Sequence, residues 1–476
     1  MLTATPAEQT AGQDATAVTP AAGGPASLRW WRESAAHPVP AGSVAVFRIA
    51  FGVLVSFSAV RFLARGWVTT FYTEPNHHLT YPGFDWIQPL PAPWMHLHVM
   101  AIAVLGANIA IGYRHRLSTG LFIVAFGYTE LIEASLYLNH YWFLTVTAAL
   151  LLLLPVNHYW SLDARQGRVP TSDIVPAFVV WALRAQLAAV YMFAGIAKLN
   201  ADWLVRAQPL QLWLADRTDT PIVGFVLDEP VAAFVASWTA AAFDLTIVGW
   251  LLYRPTRRFA YAALVVFHLA TGALFQIGVF PLVMIVASLV FFEPDWPNRL
   301  LARFCEPAAP GRPPTDAGAG APPIRRSAAV ALALFATAQL ALPLRHYAYP
   351  SDVRWSEEGY YLSWRVMLTD KAGHVIYNVT DPSTGETWEV GPDLVLADWQ
   401  EVHASTRPDL IHATADLIAR HYRRSGIEGV EVRADAWVSI NGERARQLVD
   451  PTVDLAQQSR GFGSSPWLRP LNRTDG

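Results

Sequence analysis

PAFVVWALRAQLAAVYMFAGIAKLNADW, residues 176–203, is the stretch on which the fold turns. It is apolar except for Arg184 and Gln186 until it ends at Lys198. Crossing the hydrocarbon core of a bilayer takes roughly 20 apolar residues in a helix, and this run supplies them. Working outward, similar runs stand at 43–63, 94–113, 119–137, 141–157, 176–199, 230–253, 259–275, 279–293 and 327–344. The run at 279–293 is short and begins near Pro281, so it pairs with its predecessor as a bent hairpin and the count is eight or nine spans. Composition agrees: 53% of the 476 residues are hydrophobic and only 15% charged, where soluble domains run nearer a quarter charged. Nineteen tryptophans and sixteen tyrosines suit the two membrane interfaces.

Arginines alternate between loops. Arg29 and Arg32 precede the first span, Arg114 and Arg116 follow the second, Arg165 and Arg168 the fourth, and Arg254, Arg257 and Arg258 the sixth. Arg299, Arg303, Arg325 and Arg326 precede the last. The positive-inside rule then predicts a cytoplasmic N-terminus and an extracytoplasmic chain beyond residue 345. That portion reads as α+β. Residues 360–368 alternate like a strand, 375–379 and 387–390 flank a DPSTGE turn, 409–424 has helical spacing with Asp409 as its cap, and 430–440 leads into Asn441-Gly442.

The expected fold is therefore a polytopic α-helical membrane protein with a C-terminal extracytoplasmic, β-rich α+β domain. Its divisions are a disordered N-terminal tail (1–40), a membrane helical domain (41–297), a Pro/Gly/Ala linker (298–326), the last span (327–344), the extracytoplasmic domain (345–460) and a C-terminal tail (461–476). A net charge of −3 leaves no basic surplus for nucleic acid. One cysteine, Cys305, excludes an internal disulfide framework and a Cys-rich zinc site. Neither HExxH nor a set of HxxHH boxes occurs, and the pairs His77-His78 and His96/His98 read as interfacial histidines, so no metal is predicted.

Ionisable residues inside spans carry the functional signal, since each costs roughly 2.5–3.5 kcal/mol on insertion scales. Arg184 and Lys198 lie 14 residues apart, about four turns and roughly 21 Å along one helix face. Lys198 reads either as a snorkelling interfacial lysine or as an amine in apolar surroundings able to act as a base. His140 opens the fourth run, and the topology sets it at the same membrane face as Lys198, with His268 heading outward in the seventh. Asp244 is the acid expected to neutralise Arg184 in an ion pair or to serve the site, and Tyr191 is a further candidate on the lysine helix. Glu130 and Glu133 are further acids in the third run.

Longer motifs carry a resemblance. GIAKLNADW at 195–203, NHYW at 157–160 followed by Ser161 and Asp163, FHLATGALFQIGVF at 267–280, and DAWVSINGERARQLVDPTVDL at 435–455 resemble, in the same order, segments of the vitamin K-dependent γ-glutamyl carboxylases. The similarity covers about residues 40–460. It implies a metal-free enzyme acting at the extracytoplasmic face on a glutamate-containing peptide or protein. A lysine deprotonates reduced vitamin K, or a menaquinone hydroquinone in a bacterial relative. Reaction with O2 then yields a base strong enough to take the glutamate γ-proton, CO2 adds to the carbanion, and the quinone leaves as its epoxide. The matching residues are Lys198 for the base, His140 (after Asn139) for the carboxylation step, His268, and Trp364 in a segment tied to glutamate recognition. Asn139, Arg184, Tyr191, Asp244, His268 and Trp364 are the candidates for substrate and quinone binding.

This chain departs from the pattern at Ala197, where the family has a first lysine, and at Thr271, where it has an asparagine. The single cysteine excludes the disulfide of animal members, and the chain ends soon after Leu455, as in short bacterial-type relatives. The expected location is a bacterial plasma membrane, with lipid and quinone as partners and no nucleic acid. The alternatives are a quinone epoxidase or oxidase without carboxylation, and a non-enzymatic membrane protein on the same fold.

Overall fold

A computed structural model describes residues 34–275, 277–304 and 326–471. The N-terminal tail to residue 33, the Pro/Gly/Ala-rich stretch 308–324, Cys305 and the last five residues lie outside the described residues. Each of the nine apolar runs contains a helix: α1 Gly42–Ala64, α2 Ala92–Ile111, α3 His115–Ile132, α4 Asn139–Leu153, α5 Ala177–Ala197, α6 Pro230–Leu252, α7 Arg257–Leu274, α8 Phe280–Ala287 and α9 Arg326–Leu344. Among the described residues five helices, α1, α2, α5, α6 and the one that includes α9, are long and apolar enough to cross a membrane. The others fall short for different reasons. Helix α4 has 15 residues, about 22 Å against a core of about 30 Å. Helix α3 carries His115, Arg116 and Glu130, and α7 opens on Arg257 and Arg258. The third run also ends earlier than expected, because Glu133 turns the chain into a 3₁₀ turn by accepting the Ser135 backbone N–H.

Small residues set the closest helix pair. A Cβ at Gly52 of α1 would collide with the Gly106 carbonyl and Ala110 nitrogen of α2, so the backbones touch. Ser56 Oγ adds a 2.6 Å bond to the Ala103 carbonyl. At the end of the bundle away from the C-terminal domain, Arg48 is fully buried and donates to the carbonyls of Ile109, Ala110, Val156 and Trp160. Asp163 there accepts the N–H groups of Arg114 and His115 and so caps α3. Asn157 fixes that carboxylate at 2.9 Å. The NHYW-S-D motif is thus a structural clamp.

The C-terminal part is a four-stranded antiparallel sheet with a helix packed on it. Strands β1 (Lys371–Thr380), β2 (Thr387–Val390), β3 (Glu431–Ile440) and β4 (Arg446–Gln447) lie in the order β2-β1-β3-β4. Val375, Tyr377 and Val379 face Ala436, Ala434 and Val432 across the β1–β3 ladder, and all six are buried. Helix α10 (Pro408–Arg424) covers that face with Leu410, Ile411 and Ile418. Asn441 and Gly442 close the turn after β3 with φ of 52° and 73°.

Two local expectations fail. Residues 360–368 are not a strand: Leu362, Trp364 and Met367 take left-handed backbone conformations, φ 53° to 59°, which fold the segment back on itself. Asp409 does not cap α10. Arg407 holds the cap position, Pro408 starts the helix, and the Asp409 carboxylate accepts the Tyr361 hydroxyl instead.

The two parts are stitched through polar side chains. Asp202 of the GIAKLNADW motif accepts from Arg354 (2.8 Å) and Asn441 (3.2 Å). Glu133 accepts from Gln400 at 2.8 Å. Asn139 donates to the Arg365 carbonyl at 2.9 Å, and the Tyr137 hydroxyl accepts the Leu362 N–H at 2.7 Å. These contacts seat the folded-back 360–368 segment over the ends of the membrane helices.

Candidate active site

Under that segment lies an apolar cavity of about 420 Å³ between α5, α6, α7 and α8. Val190, Ala194, Leu214, Ala240, Phe267, Phe275, Phe280 and Met284 supply its walls, and Val366 and Met367 of the folded-back segment join the lining. Four titratable groups enter it: Lys198, Asp244, Tyr191 and His268.

Lys198 is the residue at which α5 stops. Asn200 then caps the next short helix by accepting the Trp203 N–H, so the chain turns immediately after the lysine. Its side chain therefore cannot run up into water, and only 7% of it is exposed. Nζ donates to Asp244 Oδ2 at 2.8 Å and to the Ala194 carbonyl at 3.3 Å, and lies 5.2 Å from the Trp203 ring centroid. The Trp203 indole is held in turn by the Ser237 carbonyl at 2.8 Å. A buried ion pair returns little net stability after desolvation, so the pair is costly to keep for packing alone. Across the cavity Tyr191 Oη and His268 Nε2 lie 2.8 Å apart, amid Phe243, Phe267 and Phe280.

The remaining candidates stand elsewhere. Arg184 does not meet Asp244. It donates to the carbonyls of Val290, Phe291 and Phe292, closing the turn after α8, and its guanidinium lies over Trp181. His140 does not line the cavity. Its ring packs on Tyr141 and on Phe280, with centroids 4.8 and 5.8 Å apart, and Phe280 stands between it and His268. Asn139 and Trp364 also lie outside the cavity lining. Trp364 is buried in a left-handed conformation, edge-on to Phe143, with its indole N–H unpartnered. Burial pushes the neighbouring Tyr360 hydroxyl up to about 12, so it is a donor at neutral pH and bonds the Arg365 carbonyl. His78 bonds Glu133, and His98 bonds Thr129 and the Ala125 carbonyl. Among the described residues no group of three or more His, Cys, Asp or Glu is placed to hold a metal ion.

Sequence reasoning missed the cavity's lid, Val366 and Met367, and the support Trp203 gives the lysine. Trp203 lay inside the quoted motif, whereas the lid residues carry no local signal.

Fold and site together define a class: a multi-helix membrane protein with a buried Lys–Asp pair in an apolar cavity beneath a folded extramembrane domain. The HTTM domain model matches residues 36–296, and the model for the vitamin K-dependent gamma-carboxylase lumenal domain matches residues 324–474. The chain belongs to the vitamin K-dependent γ-carboxylase family. No solved structure matches it. Membership implies vitamin K as cofactor and an extracytoplasmic setting for the C-terminal domain.

Proposed function

We propose that the protein carboxylates peptide glutamate to γ-carboxyglutamate and couples this to epoxidation of a vitamin K-type hydroquinone. The observation that carries the proposal is the Lys198–Asp244 pair in an apolar, lidded cavity. The donor set fits a hydroquinone: aromatic and aliphatic walls for the ring and tail, and few polar atoms to meet its hydroxyls. When bound, the hydroquinone supplies through its reaction with O2 the base strength that no side chain possesses.

The chain's own contribution is proton handling and exclusion of water. A lysine amine with a protonated aspartate holds the same proton count as the ion pair. Transfer across the 2.8 Å contact therefore gives a neutral amine without changing the net charge of the cavity. Lys198 Nζ then takes a hydroquinone hydroxyl proton, and the resulting ammonium stays beside the charge it creates. The Val366–Met367 lid and the aromatic walls keep water from quenching a strong base. His140, on the far side of Phe280, acts on the glutamate half of the reaction.

One observation favours epoxidation without carboxylation. His140 stands outside the lysine's cavity, so the two half-reactions have no shared lining through that residue. The deciding experiment incubates the membrane-inserted protein with a Glu-containing peptide, reduced vitamin K, O2 and labelled bicarbonate. Mass spectrometry should find one labelled carboxyl on glutamate and an equal yield of epoxide. Epoxide with no labelled peptide would leave the epoxidase, and neither product would sink both readings.

A further inference from the structure

The membrane bundle has several partly or fully buried arginines, and all but one are visibly spent. Arg48 has four carbonyls, Arg184 three, and Arg257 has Glu293 with the carbonyls of Leu251 and Leu252. Arg61, near the end of α1, has none of these. Its Nε is buried without a hydrogen-bond partner, and no ion pair reaches it among the described residues. Its guanidinium lies 5.1 Å from the Trp67 ring centroid.

Arg61 lines a second, smaller cavity of about 80 Å³, together with Tyr72, Tyr81, Tyr137, Tyr141, Glu130 and Glu133. A water needs roughly 10–15 Å³ by this measure, so the space suits a short polar side chain and not a quinone. Glu130 is engaged by the Thr145 hydroxyl at 2.7 Å, and Glu133 by the Leu79 N–H, the Ser135 hydroxyl and the Gln400 amide, so neither carboxylate pairs with the guanidinium.

The two cavities stand back to back. Val279 lines the smaller one and its neighbour Phe280 the larger. His140 sits on that partition, its ring against Phe280 on one side and against Tyr141, which lines the smaller cavity, on the other. Toward the C-terminal domain, Tyr81 and Tyr137 pack edge-on against Tyr361, at 5.2 and 4.9 Å. Beyond Tyr361 opens a polar cleft of about 280 Å³ that includes Pro82, Arg345, Glu357 and Asp409.

We propose that the Arg61 cavity is the carboxylate subsite for the peptide glutamate, with the peptide backbone in the polar cleft beyond Tyr361. A planar guanidinium with free donors matches a carboxylate in fork geometry. Tyr72, Tyr81 and Tyr141 add phenol hydroxyls to the lining, whereas the Tyr137 hydroxyl is already held by Asn139 and the Leu362 N–H. Seated there, the glutamate lies on the His140 side of Phe280 and the hydroquinone on the Lys198 side. This inference rests on the proposed carboxylase function, which it supplies with a second substrate position.

The test uses full-length protein in lipid nanodiscs and two blocked tripeptides, Ala-Glu-Ala and Ala-Gln-Ala, with equilibrium binding as the readout. Wild type should prefer the Glu peptide by at least tenfold, the scale of one charge-assisted hydrogen bond. Arg61→Gln should erase that preference, and Arg61→Lys, which keeps the charge but not the fork, should retain part of it. Binding of a naphthoquinone reports that each variant is folded. Should Arg61→Gln bind the Glu peptide as wild type does, the subsite is overturned while the carboxylase proposal stands. If wild type shows no preference, the subsite is also overturned, and labelled-bicarbonate incorporation decides the carboxylase question separately.

Discussion

Lys198 was legible from sequence because a charged residue at the end of an apolar run, inside a long motif, has few explanations. Its partner was not. Pairing Asp244 with Arg184 assumes that α5 and α6 start and stop level with each other. In the structure Lys198 meets Asp244, 14 residues or about 21 Å into α6, so the first turns of α6 overhang the end of α5. Periodicity gives the face of a helix, and offset along the axis comes only from packing. The pair makes a prediction at this scale. Asp244→Asn keeps the shape but cannot take the lysine's proton. Epoxide formation should fall by about 10²–10⁴-fold, measured as turnover at saturating hydroquinone, with quinone binding kept. An unchanged rate would remove Asp244 from the proton path.

At the scale of elements, the helices followed from their apolar runs, and the β1–β2 hairpin and the turn at Asn441-Gly442 from their local chemistry. The segment 360–368 misled because its alternation matches a strand. Three left-handed residues and bonds from Tyr137 and Asn139 fold it into a lid, and those partners lie more than 200 residues away. The α1–α2 contact gives a clean substitution test. Gly52→Leu would drive a side chain into the α2 backbone, whereas Gly120 of α3 has open space where its Cβ would stand. Thermal unfolding in detergent should show a large loss of folded protein for Gly52→Leu and near-wild-type behaviour for Gly120→Leu. Helix α10 offers a pH signature. Burial pushes the Asp416 carboxyl up to about 6 from its usual 3.8, with Arg460 opposing. The folded domain therefore holds a proton that the unfolded chain has released. The contribution to stability is full below about 4 and is lost as pH rises through about 6. Asp416→Asn should flatten that part of a melting-temperature against pH profile, and an unchanged slope would refute the assignment.

For the whole molecule, alternating arginine loops predict the orientation, and the stitching of Asp202 to Arg354 and Asn441 ties the lysine's helix to the C-terminal domain. Reporter fusions after residues 165, 257 and 460 should read inside, inside and outside. A cytoplasmic signal at 460 would reverse the orientation and put the lidded cavity at the wrong face for the proposed chemistry. Long-range stitching of this kind was invisible in the sequence, where its members look like isolated polar residues in separate motifs. The central claim, that Lys198 is the base that starts the oxygen chemistry, is tested most directly by epoxide yield from Lys198→Arg. Arginine keeps charge and reach but does not become a neutral base at neutral pH. Folded, membrane-inserted Lys198→Arg should make no epoxide above background. Full epoxidation by that variant would contradict the account and leave Lys198 an electrostatic anchor.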